Sequence, residues 1–123
     1  MLALTIFTCA LIYGGQYGID IELIEAIAKV ESSNREKVIS QDGMDFGLMQ
    51  IRKKYVPETK KQLMDACTSI KVASRILDFN KKNCKHKKDY TYVVCYNVGV
   101  TGGKKINHPK KFPYYKKVMK EMQ

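Results

Sequence analysis

The chain has 123 residues, 45% hydrophobic and 28% charged, which fits one domain with one modest core and excludes a second independent domain or a disordered or collagen-like chain. Its net charge of +10 is uneven: residues 1–51 hold three basic and seven acidic side chains (−4), whereas residues 52–123 hold 19 and five (+14). A cationic half suits a polyanionic partner or simply a solvated surface; with 19 Lys among the 22 basic residues and only Arg35, Arg52 and Arg75 able to make planar two-pronged contacts, nucleic acid is the weaker reading.

Leu2 to Ile12 is an uninterrupted apolar run, too short for a membrane span of about 20 residues and similar to the apolar stretch of a secretion signal, although no Lys or Arg precedes it. The reading favours a removable signal over residues 1–15 and a folded domain over 16–123, against the alternative of a core helix or strand that stays in the mature protein. Removing that signal takes Cys9 away and leaves Cys67, Cys84 and Cys95, enough for one intramolecular disulfide. Cys67 and Cys84 are roughly 25 Å apart if one helix joins them at ~1.5 Å per residue; Cys84 with Cys95 is less strained.

Asp20 to Ser32 predicts a helix, with Asp20 as N-cap and Leu23, Ile24, Ile27, Ala28 and Val30 at helical spacing. Val38 to Phe46 turns polar around Asp42-Gly43, the best place for a small hairpin. Beyond Pro57, the apolar positions Leu63, Met64, Ala66, Ile70, Ala73, Ile76, Leu77 and Phe79 predict a long amphipathic helix, followed by a Lys-rich connection over 81–88. Tyr90 to Val98 fits helix or strand, and Phe112 to Met122 predicts a terminal helix after Pro113. His86 and His108 sit in Lys-rich loops and read as solvated; no Cys/His spacing suggests a metal site, and no cofactor is expected.

Glu31 lies seven, four and three positions after Ile24, Ile27 and Ala28, so it shares the face due for burial. Burial and the negative end of the helix dipole both raise a carboxyl pKa, which suits a general acid; a salt-bridged or solvent-facing Glu is the bland alternative. Downstream, Gly47-Leu48-Met49-Gln50 places a two-way hydrogen-bonding amide beside apolar residues, and Tyr96-Asn97-Val98-Gly99 sets a phenol and an amide beside a glycine.

In order, Glu31-Ser32, Gly47-Leu48-Met49-Gln50 and Tyr96-Asn97-Val98-Gly99 resemble the signature of the soluble-lytic-type lytic transglycosylases, from about Ile19 to Val118. The short form, the Asp45-Phe46 pair and the segment around Cys67 are most similar to the specialised enzymes of conjugation and of type III and type IV secretion systems. The resemblance implies a mainly α, lysozyme-like α+β domain that cleaves the β-1,4 bond between N-acetylmuramic acid and N-acetylglucosamine of peptidoglycan. It implies that Glu31 is the single catalytic acid and base, giving 1,6-anhydro products. Gln50, Tyr96, Ser40, Asn97 and Met49 are its implied substrate-binding and supporting residues. The implied setting is periplasmic or secreted, with peptidoglycan strands and a secretion or conjugation apparatus as partners. Two positions depart from the subfamily pattern: Arg52 and Ser69 stand where Asn is common. A lysozyme-type hydrolase using Asp45 as a second carboxylate, and a non-catalytic wall-binding module, are the alternatives.

Overall fold

The computed structural model describes residues 2–123. Its six α-helices are α1 (Leu2–Tyr17), α2 (Ile21–Ser32), α3 (Lys60–Leu63), α4 (Ala66–Asn83), α5 (Val93–Gly103) and α6 (Pro113–Glu121). A two-stranded antiparallel sheet pairs β1 (Asp45–Phe46) with β2 (Ile51–Arg52), Asp45 opposite Arg52 and Phe46 opposite Ile51. This is the mainly helical, lysozyme-like α+β architecture that the sequence predicts. The hairpin near 38–46 is present in part: Ile39 bridges to Phe46, and Gly43 turns the chain at a φ of +75°. The regular pairing, however, runs from β1 forward to β2.

The apolar run expected as a removable leader forms α1 in this structure; Met1, the first residue of that segment, lies outside the described residues. Ile6, Cys9 and Ala10 are buried, and α1 packs more extensively on α4 than on any other helix. A disulfide joins Cys9 to Cys67 near the start of α4, with Cα atoms 5.4 Å apart. A second joins Cys84 to Cys95, bringing the end of α4 to α5 at a Cα separation of 6.1 Å. All four cysteines are therefore paired. Leu4, Phe7, Leu11 and Ile12 remain exposed on the outer side of α1.

The predicted stripe of α2 buries Leu23, Ile24, Ile27 and Ala28 completely. They meet Ile70, Val72, Ala73 and Leu77 of α4, Val93 and Val94 of α5 and Val118 of α6 in one core. Asp20 occupies the N-cap position of α2, but its side chain makes no capping bond; its carboxylate accepts the Tyr90 hydroxyl proton instead. Thr59 and Gln62 form a reciprocal capping box at the start of α3. Asp65 caps α4 through the Thr68 amide, and Glu36 reaches across the chain to the Ala66 amide at 2.9 Å.

The ambiguous segment after Tyr90 is helical, because Val93, Val94 and Cys95 are all buried against α4. Gly99, at φ +81°, breaks the helical path within α5 and the helix resumes to Gly103. His86 is not the solvated residue expected: it is half-buried, and its Nε2 lies 3.2 Å from the Gly103 carbonyl and 2.8 Å from that of Ile106. Two carbonyl acceptors require the proton to sit on Nε2.

Candidate active site

Glu31 stands in the last turn of α2, where the chain is locked on leaving the helix. The Ser32 hydroxyl donates to the Ala28 carbonyl at 3.1 Å and accepts the Arg35 amide at 3.1 Å. Ser33 and Asn34 follow with φ of 55° and 62°, and their amides return to the carbonyls of Lys29 and Ala28. The Glu31 side chain is half-buried beneath α6. From that helix the Tyr114 hydroxyl donates to Glu31 Oε2 at 2.6 Å.

Burial pushes the Glu31 carboxyl up to about 7, and the Asp45 charge adds to the rise, while the Tyr114 hydrogen bond and the Lys117 ammonium oppose it. A carboxyl with that pKa is substantially protonated at neutral pH yet ionises readily, so it can give a proton and take one back. Tyr114 is itself buried and beside Glu31, and its phenol is pushed well above the ordinary value. It therefore remains a donor throughout the pH range in which Glu31 titrates.

The Gly47-Leu48-Met49-Gln50 segment forms the tight turn between β1 and β2. Gly47 has φ +85°, and a Cβ there would collide with the Leu63 carbonyl oxygen. Its amide donates to the Val38 carbonyl at 2.8 Å. Both hydrogens of the Gln50 amide group are engaged, with the Val38 and Gly47 carbonyls each 3.0 Å from Nε2. Gln50 thus braces its own turn from a left-handed φ of 50°, leaving its amide oxygen as the group able to face a ligand.

Met49 contributes through its backbone, since its side chain is wholly buried. Its amide donates to the buried Ser69 hydroxyl at 3.0 Å, and its carbonyl accepts the Tyr96 hydroxyl at 2.7 Å. Ser69 in α4 and Tyr96 in α5 therefore fasten the turn from two sides. Burial, then the charges of Glu31 and Asp45, push the Tyr96 phenol well above its ordinary value, so Tyr96 stays protonated as a donor.

Ser40 sits in the hairpin, where its hydroxyl donates to Asp42 at 2.6 Å and accepts the Asp45 amide at 2.9 Å. It thereby supports the Asp45 backbone. Asn97 is exposed one residue beyond Tyr96. Asp45 is held by Arg52, whose Nε and Nη2 lie 2.9 and 3.2 Å from its two carboxylate oxygens.

Tyr114 is the site residue that the motif reading missed. Its trace in the sequence is the Pro113-Tyr114-Tyr115 start of α6: Pro opens the helix, and Tyr114 and Val118, one turn apart, point the same way into the core. Nothing local reveals that the buried phenol meets an acid 83 positions earlier.

An acid raised toward neutrality at the end of a buried helix, faced by a phenol donor and set in a lysozyme-like fold with a braced glycine turn, is an arrangement suited to general acid and base chemistry. The chain matches the transglycosylase SLT domain over residues 8–118 and belongs to that family of lytic transglycosylase-type, peptidoglycan-related domains. It is also similar to a "Peptidoglycan-binding-like protein" of Escherichia coli O157:H7, 30% identical over 122 residues that span 85% of this chain and 70% of the relative.

Proposed function

We propose that the domain is a peptidoglycan lytic transglycosylase that cleaves the β-1,4 bond between N-acetylmuramic acid and N-acetylglucosamine, with Glu31 acting first as acid and then as base. The Glu31 carboxyl, set half-buried beneath α6 with the Tyr114 hydroxyl at 2.6 Å and pushed up to about 7 by burial, is the observation that carries this reading. Protonated Glu31 gives its proton to the glycosidic oxygen as the C1–O bond breaks. The resulting carboxylate takes the proton of the muramic C6 hydroxyl, whose oxygen closes onto C1. No water is consumed, and Glu31 returns to its protonated state. An internal nucleophile held in line gains from proximity, which is worth about 7 to 11 kcal/mol in well-oriented cases.

The name of the relative speaks of binding, and a wall-binding module without catalysis is the competing reading. A binder gains nothing from a carboxyl held partly out of water at the cost of its ionisation, whereas a general acid depends on it. We further propose that the domain works outside the cytoplasm, in the wall-facing compartment where a conjugation or secretion apparatus opens peptidoglycan. Two disulfides that use all four cysteines support an oxidising setting. The Cys9–Cys67 link also supports retention of α1 in the working domain.

Digestion of purified sacculi followed by mass analysis of the released muropeptides tests the function. Products 1,6-anhydro at the muramic end are expected; reducing ends alone would replace the lyase with a hydrolase, and no release would leave a binder.

A further inference from the structure

A second carboxylate, Asp45 of β1, acts on Glu31. Asp45 is near enough to Glu31 and to the Tyr96 phenol for its charge to act on both, and its side chain is 23% exposed, so water reaches it. A second carboxylate beside a general acid is the arrangement with which glycosidases activate water. The strand register decides what Asp45 does instead. Asp45 and Arg52 are paired directly across β1 and β2, and the guanidinium grips both oxygens of the carboxylate, Nε to Oδ1 at 2.9 Å and Nη2 to Oδ2 at 3.2 Å.

The grip is itself held. Arg52 Nη2 also reaches Asp42 Oδ2 at 3.3 Å, and Asp42 is fixed by the Ser40 hydroxyl and the Met44 amide. The Asp45 amide is tied to the same Ser40 hydroxyl. A planar guanidinium matches a carboxylate with two parallel bonds and never loses its proton in the working range. Both oxygens of Asp45 are thus occupied and fixed in direction by the guanidinium, so neither can turn to take a water's hydrogen without giving up a bond to Arg52.

We propose that Arg52 is a specificity-determining positioning residue that silences Asp45 as a base for water and so keeps the reaction on the anhydro-forming path. The inference rests on the lyase reading above. Without the grip, Asp45 would accept a proton from water while the water oxygen bonds to muramic C1. Glu31 would give its proton to the departing oxygen as before. The product would be a reducing end, and the proton on Asp45 would return to solvent.

The test digests sacculi in ¹⁸O-labelled water with wild type, Arg52→Gln and the Arg52→Gln/Asp45→Asn double variant, each checked for folding by circular dichroism. The wild-type arm reports on the lyase reading by itself: unlabelled anhydro ends uphold it, and labelled reducing ends as the main product overturn it. Given unlabelled wild-type products, the proposal expects Arg52→Gln to raise the fraction of labelled reducing ends at least about tenfold and the double variant to return it to the wild-type level. Unlabelled anhydro ends alone from folded Arg52→Gln would overturn the proposal, as would labelled ends that persist in the double variant. Should Arg52→Gln fold poorly, Arg52→Lys keeps the charge without the two-pronged fork and is held to the same two outcomes.

Discussion

The Tyr114 hydroxyl and the Glu31 carboxylate meet at 2.6 Å across the interface of α6 and α2, joining residues 83 positions apart. A hydrogen bond to the ionised carboxylate favours that form, so this contact restrains the rise that burial imposes on Glu31. It also pairs Oε2 of Glu31 and leaves Oε1 as the oxygen that Tyr114 does not engage.

From this pairing follows a pH profile. With Glu31 titrating at about 7, the acid form is lost above neutrality, and the cleavage rate should fall about tenfold per pH unit on the basic side. Tyr114→Phe removes an effect that lowers the Glu31 pKa. The basic limb should move upward by about one unit while the maximal rate drops about tenfold. Rate against pH for both proteins measures this; an unshifted limb would show that Tyr114 acts only by packing.

Stability should depend on pH with the opposite sign to that of a salt-bridged carboxylate. Glu31 has a folded-state pKa raised from 4.5 to about 7, so the folded state binds the proton more tightly than the unfolded one. Its favourable contribution is complete below pH 4.5 and is lost as pH rises through 7, a swing of about 3 kcal/mol. Glu31→Gln lacks that swing. Urea titrations should find the variant gaining stability relative to wild type between pH 4.5 and 8, and a constant difference between the two would contradict the assignment.

The Cys9–Cys67 disulfide closes a loop with a sequence separation of 58, and chain-entropy reasoning gives it about 4 kcal/mol. Cys9→Ser and Cys67→Ser should each lower stability by about that amount, and the double variant should lose little more than either. Mass spectrometry of the active protein recovered from its compartment should find Cys9 present and oxidised. An active domain lacking residues 1–15 would show that α1 is dispensable.

Gly47 and Gly99 both have positive φ, but only Gly47 faces an obstacle, the Leu63 carbonyl. Gly99→Ala should cost about 1 kcal/mol through backbone strain alone. Gly47→Ala should cost more and also lower activity, because the turn carrying Met49 and Gln50 must move. Thermal melts and cleavage rates compare the two; equal costs would mean that the turn relaxes freely.

Much of this was legible in the sequence because it is carried by local patterns. The 3.6-residue spacing of Leu23, Ile24, Ile27 and Ala28 placed Glu31 on a covered face, and Gly47 announced a turn that a side chain would block. Partnerships between distant positions were not legible. Asp20 is an N-cap by position, yet Tyr90, 70 residues away, takes its carboxylate. Gln50 suggested a ligand contact, but nothing beside it announced that its amide hydrogens also brace Val38 and Gly47. The Leu2 to Ile12 run has the composition of a leader; its packing on α4 and its link to Cys67 depend on residues far along the chain and are not properties of the run itself.

The central claim is that one carboxyl group, that of Glu31, both gives and takes the proton. Glu31→Gln differs from wild type by one atom exchange at the site and should fold with the same circular dichroism. The most direct measurement is muropeptide release from purified sacculi by the two proteins at equal concentration, near pH 6. The account predicts 1,6-anhydro muropeptides from wild type and a loss of at least about a thousandfold in Glu31→Gln. Release by a correctly folded Glu31→Gln protein at a rate near that of wild type would contradict it.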